Sequence, residues 1–333
     1  MRNYTFISLI LLLLAGFVAC ERNDDEPTLP PTRISRLYVS FSDVQTDDLA
    51  EPYKNIAIFD PSDAADLPDP ERFESGVMEG AGITFNPFVS RVFQGSRQDS
   101  SIKSFSVNSM GVLGNGATFI DTTLASQPAL VFDHVSTNLY VSNNTTNSIH
   151  VYENATARNG RTGPNKRFEL DGQPRGLALS KDSLIIAFRT GTVNQVILLE
   201  NPSKIDSGLV NTFKKIIIPN AVDVRGIAYS EELDLLAVSD VGKGEIYLIE
   251  NVRDSFSENK SITPARTING VATGIKEPID VAIDDREDKM YLYVADRKAK
   301  KVFRFKLSDN GNVAPEASYT FQLTPVSIYL DAR

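Results

Sequence analysis

Two tripeptides, PRG at 174–176 and VRG at 224–226, place Arg175 and Arg225 at the same point of two segments that echo each other, QPRGLALSKDSLIIAF and VRGIAYSEELDLLAV. A pair of guanidinium forks can grip a carboxylate, sulfate or phosphate through parallel N–H···O bonds, a geometry that lysine does not offer. Arg189, Arg97 and Lys243 fall in loops on the same side of the repeated pattern, and Asp280 stands in an equivalent loop, so a locally basic face is expected on a chain of formal charge −9. Two uses stay open for the arginine pair. It could hold an anionic ligand, such as an acidic glycan, a small anion or an acidic loop of a partner protein. It could equally brace the scaffold against a nearby aspartate or carbonyl.

Other chemistry-bearing residues are sparse. Asp240 in VSD and Asp296 in VAD close equivalent β-rich segments, where a carboxylate readily accepts the N–H groups of the following turn. The alternative role is calcium, which takes six to eight oxygen ligands; Asp280 and Asn144 are further donors, and no other cofactor is expected. The two histidines, His134 and His150, lie in one repeat without the spacing of a zinc site. Asp133 and His134 lack the nucleophile elbow that would support a Ser-His-Asp reading. Both imidazoles are expected to be structural or exposed.

Cys20 is the single cysteine, which excludes an intramolecular disulfide and a thiolate zinc cluster. It follows an apolar run from Phe6 to Ala19 that is preceded by Arg2, too short for a comfortable membrane span and proportioned like a secretory h-region. The residues FVAC resemble a bacterial lipobox, in which the cysteine becomes the lipidated N-terminus. The resemblance implies a signal peptide over 1–19 and lipidation of Cys20. The acidic, then proline-rich ERNDDEPTLPPT that follows is expected to be an extended tether over 20–32. Its first residues resemble the surface-export signal of Bacteroidota lipoproteins, which implies the outer membrane, with the body periplasmic or surface-exposed and touching the membrane through the lipid alone. Nucleic acid is disfavoured, because its binders need a concentrated basic face.

Positioning the arginines is the work of a repeat. The segments GITFN, ALVFD, GLALS, GIAYS, DVAID and SIYLD recur, and their equivalent residues Phe85, Phe132, Leu179, Tyr229, Ile283 and Leu330 are separated by 47, 47, 50, 54 and 47 positions. Each copy leads through a polar turn to a second β-rich segment such as SLIIAF or MYLYVAD, then to a third such as NQVILLEN, then to a fourth such as FKKIII. Helical periodicity is absent from 33–333. Four short strands rich in Val, Ile, Phe, Tyr and Leu between Asn, Asp, Gly and Pro make an antiparallel meander. A meander repeated at 40 to 50 residues is a propeller blade. The expected fold is therefore all-β, a six-bladed propeller over 33–333 with four antiparallel strands per blade. VSIYLD at 326–331 has the form of an innermost strand, and RLYVSFSD at 36–43 that of a second strand lacking a first. Joined, they would complete the last blade and close the ring.

The segments QPRGLALS, EPIDVAID and MYLYVAD resemble NHL-repeat and YVTN-type propellers, and more broadly the six-bladed TolB-like group. That resemblance implies a binding or scaffold module with its ligand at the channel mouth. Its alternative implication is a calcium-dependent lactonase similar to the gluconolactonases. The long loops at 42–55 and 154–166 are candidates for specificity or for plain solvated variation.

Overall fold

Antiparallel hairpins follow one another along the chain, and in the computed structural model they form six small sheets around a central axis. Residues 33–43, 54–126, 129–258 and 261–333 are described; Cys20, the signal segment, the tether and most of the 42–55 loop lie outside them. Counting strands outward from the axis, blade I comprises Pro325–Ala332, Ser35–Phe41, Ile56–Phe59 and Glu71–Phe73. Blade II comprises Gly80–Asn86, Arg91–Ser96, Ser101–Val107 and Leu113–Ile120; blade III Leu130–Asp133, Asn138–Asn143, Ser148–Glu153 and Lys166–Glu169. Blade IV comprises Gln173–Ser180, Ser183–Thr190, Val193–Glu200 and Lys214–Ile217. Blade V comprises Val224–Ser230, Leu235–Asp240, Glu245–Glu250 and Arg266–Ile268; blade VI Pro278–Asp284, Tyr291–Asp296, Lys301–Lys306 and Ala317–Thr320.

Second strands such as LLAVSD are buried along their whole length. Each is covered on both faces by neighbouring blades, so its sequence is continuous in apolar and small residues instead of alternating. Between blades IV and V, for example, Ile185, Val196 and Ile216 pack against Ile227, Val238 and Tyr247. The core is thus a set of wedges between blades, each supplied by two repeats.

Closure follows the sequence expectation. Ser35–Phe41 pairs with Pro325–Ala332 in antiparallel register, Leu37 opposite Leu330 and Val39 opposite Ile328. Ile34 and Arg333 exchange two backbone hydrogen bonds of 2.9 Å. Leu37, Val39, Phe41 and Ile328 then join Tyr293, Ala295 and Val302 of blade VI in one cluster.

Two features depart from the plain four-stranded scheme. The connection between third and fourth strands reaches back to the outer edge of the preceding blade: Gly160–Arg161 pairs parallel with Phe119 and Ile120, and Gly208–Leu209 with Phe168 and Glu169. Single parallel bridges do the same at Ile217–Ser261 and Ile268–Gly311. These contacts shield edges that would otherwise template aggregation, and they show where the 154–166 loop goes. At blade VI the job falls to Arg304, fully buried, which donates to the carbonyls of Ser62, Ala64 and Ala65 at 2.9, 2.6 and 2.8 Å. The second departure is a helix, Val252–Glu258, where no helical period was expected. It has only two turns, and its apolar face consists of Val252 and Phe256, one i,i+4 pair buried against blades IV and V. Two positions are too few to register as a period.

Ile328→Ala should lower the free energy of unfolding by about 2 to 4 kcal/mol in a denaturant titration, because it opens a cavity in the closing cluster. A loss under about 1 kcal/mol would show that the ring does not depend on this seam.

Candidate functional site

The inner strands crowd the axis at one level, and the residues there are small: Gly82, Ala129, Gly176, Gly226, Asp280 and Ser327 occupy equivalent positions of blades II, III, IV, V, VI and I. A Cβ on Gly176 would stand 2.9 Å from the amide nitrogen of Ile227, and one on Gly226 would stand 2.5 Å from a carboxylate oxygen of Asp280. Glycine is therefore required by close backbone approach. The residue before each of these glycines, Arg175 or Arg225, is left at the rim of the constriction.

Above this ring is a cavity of about 120 Å³ whose lining includes Arg97, Arg175, Arg225, Arg297, Asn144 and Asp280. Arg175 is 4% exposed. It donates from Nη1 to Asp223 Oδ1 at 2.5 Å and from Nη2 to Gln173 Oε1 at 3.3 Å, while its Nε has no partner among the described residues. Arg225 takes the other oxygen of Asp223 through Nε at 3.0 Å, and Arg189 Nη1 stands 3.9 Å from Oδ1. One carboxylate thus serves three guanidiniums. Burial, followed by repulsion from Arg225, holds Arg175 below the usual arginine range. Arg97 is lowered for the same first reason, with Arg297 and Arg225 adding repulsion and Glu79 partly compensating. Arg297 is paired with Glu277 at 2.9 Å.

Asp280 marks the floor. Its Oδ2 accepts from Ser327 Oγ at 2.7 Å and from the Ile328 amide at 3.0 Å, and Oδ1 accepts from the Val281 amide at 3.0 Å. Burial nonetheless pushes its carboxyl up to about 6 against those hydrogen bonds. Below it the channel continues as an apolar cavity of about 260 Å³, lined among others by Leu130, Phe132, Leu179, Ile227 and Tyr229. Asp280 therefore borders a cationic compartment on one side and an apolar one on the other.

The other candidates separate from this cluster. Asp240, fully buried, accepts from the amides of Val222, Asp223 and Gly242 at 2.8, 2.9 and 3.0 Å, and Asp296 from Lys276, Glu277 and Ala299 at 2.6, 2.9 and 2.7 Å. Their carboxylates hold the loops that carry Asp223 and Glu277, so they act on the mouth through positioning. No group of three or more His, Cys, Asp or Glu side chains able to hold a metal occurs among the described residues. Lys243 lies 3.9 Å from Glu245 and outside the cavity lining. His150 is buried in blade III, with Nδ1 3.0 Å from Asp121 Oδ2. Burial works against the Asp121 carboxylate, but hydrogen bonds from His150, Thr123 and Tyr152 hold it well below the usual range. The His134 ring packs tilted against Phe88 at the opposite end of the channel.

Asp223 is the residue that sequence reading missed. The signal was present, since VDVRG carries an acid two positions before the arginine where GQPRG carries Gln173. Residues i and i+2 share a strand face, which would have nominated Asp223 as partner to Arg225; its bond to Arg175 crosses between blades and has no local signature.

Together these features define a six-bladed β-propeller with a cationic channel mouth. No protein-family model matches the chain, and no curated protein matches it either. Solved structures do. One chain of a nidogen/laminin complex superposes with a TM-score of 0.64 at 14% identity, covering 89% of this chain and 98% of that one. A candidate 6-phosphogluconolactonase from Bacteroides fragilis gives 0.58 at 12% identity, with 92% and 100% covered, and a protein from Lactobacillus plantarum gives 0.57 at 9%, with 90% and 99% covered. At such identities the likeness is one of fold.

Asp280→Asn checks the desolvated carboxyl. A folded-state pKa raised above the unfolded value means that the stability tied to protonated Asp280 is complete below about pH 4 and is lost as pH rises through about 6. The variant should therefore match the wild type at pH 4 and exceed it by about 1 to 3 kcal/mol at pH 7.5. Parallel stability profiles across that window would refute the placement of Asp280.

Proposed function

We propose that this protein is a non-enzymatic binding propeller of the cell envelope, held to the outer membrane by a lipid on Cys20, whose channel mouth grips the anionic group of a ligand or partner. One observation carries the reading: Arg175, Arg225 and Arg189 share the single carboxylate of Asp223, with Arg97 and Arg297 on the same rim. With three guanidiniums on one carboxylate, this rim keeps positive charge in excess, partly out of water, where charge-assisted bonds to a carboxylate, sulfate or phosphate are strongest. Gly176, Gly226 and Asp280 close the floor of this small cavity, which has room for one anionic group. The envelope location draws on the sequence before residue 33 alone.

A second reading, hydrolysis of a lactone, draws on Asp280, a carboxyl poised near pH 6 beside the arginines, and on fold likeness to the candidate 6-phosphogluconolactonase. Its calcium-dependent form gains no support from the donor set. Turnover of 6-phosphogluconolactone that Asp280→Asn abolishes would favour this reading over binding alone.

In calorimetric titrations of the purified full chain, uronic-acid or sulfated oligosaccharides should bind where neutral ones do not. Arg225→Gln with Arg297→Gln should weaken that binding at least about tenfold, the scale of one lost charged hydrogen bond, while Lys243→Gln leaves it unchanged. Affinity should also rise as pH falls through about 6, because protonation removes the negative charge of Asp280 from the floor. Equal affinity in the double variant would dismiss the arginine rim as the site.

A further inference from the structure

Opposite the arginine mouth, the turns between first and second strands and between third and fourth strands make up the other face of the ring. Three of these turns, both of blade II and the first of blade III, are apolar and exposed: Phe88 is 78% exposed, Met110 75% and Val135 83%, with Val89 and Val112 beside them. Phe88 and Val135 are linked by the ring of His134, whose centroid lies 5.3 Å from that of Phe88. The turn segments themselves, PFVS at 87–90, SMGV at 109–112 and HVST at 134–137, contain no carboxylate, lysine or arginine. The equivalent first turns of blades IV, V and VI, KDS at 181–183, EELD at 231–234 and DREDK at 285–289, are charged, with acids outnumbering bases. The remaining exposed apolar side chains are dispersed over the mouth loops and the outer rim.

The chain enters the propeller on this same face, since Ile34 is bonded to Arg333 where the first strand of blade I ends. Thirteen residues separate Cys20 from Ile34, and the described chain begins on the face opposite the arginines. Large apolar side chains set in uncharged turns suit the boundary between headgroups and acyl chains, while an acidic sector is repelled by anionic headgroups. We infer that the Phe88–Met110–Val135 edge rests on the lipid surface that holds the Cys20 anchor, tilting the ring so that blades IV to VI lift clear and the arginine mouth faces away from the membrane. This inference depends on the anchor reading.

The test uses the full lipidated chain in vesicles of phosphatidylethanolamine and phosphatidylglycerol. An environment-sensitive fluorophore is placed at Ser90→Cys in the apolar turn or at Thr145→Cys in a mouth turn, with nitroxide lipids as quencher. The Ser90→Cys probe should be quenched several-fold more strongly than the Thr145→Cys probe. Replacing Phe88, Met110 and Val135 together by Ser should bring the two to the same level while the protein still sediments with the vesicles and keeps its β-sheet circular dichroism. Equal quenching in the lipidated parent overturns the orientation and leaves the anchor intact. Failure of Cys20 to incorporate labelled fatty acid, or membrane retention unchanged by Cys20→Ser, overturns the anchor and this inference with it.

Discussion

Six inner strands meet at one level around the axis, and the space there admits almost no side chain. Gly82, Gly176 and Gly226 occupy that level because an added Cβ would run into the neighbouring strand. Only Asp280 among the six places a long polar group there, and it does so by bending its carboxylate onto Ser327 and the Ile328 amide of the adjacent blade. The close approach divides the channel into a polar compartment above and an apolar one below. It also fixes the arginines that precede the glycines at a rim they cannot leave.

Charge at that rim is organised by a hierarchy of carboxylates. Asp240 spends its oxygens on the amides of the loop holding Asp223, and Asp223 spends its own on Arg175 and Arg225. Asp296 holds the loop of Glu277, and Glu277 holds Arg297. Blades V and VI thus each use one buried acid to set the geometry and one partly exposed acid to orient a guanidinium. Because blade V's exposed acid is shared among three arginines, the mouth retains cationic character within an acidic protein.

The outer edges follow a different logic. A blade's fourth strand is short and would present unpaired backbone to solvent; the connection from the following blade covers it in parallel register. Blade VI is covered instead through Arg304, whose charge is spread over three carbonyls and the nearby Glu316. Such a buried cation is tolerated because its Nη donors are spent on carbonyls that would themselves be left without partners and Glu316 offsets its charge.

Much of this was legible in the order of residues. The recurring GLALS-type segments set the number of blades, and the orphan strand at each end predicted the seam that pairs Leu37 with Leu330. The arginines were nominated by their place before a glycine in two copies. These features are local or periodic, and a linear sequence records both. What the sequence did not disclose depends on distance across blades: the sharing of Asp223 with an arginine 48 positions away, the return of 160–161 to a strand at 119–120, and the desolvation of Asp280. Tertiary structure alone decided these, because a carboxylate's partners and its access to water are set by which blades pack beside it.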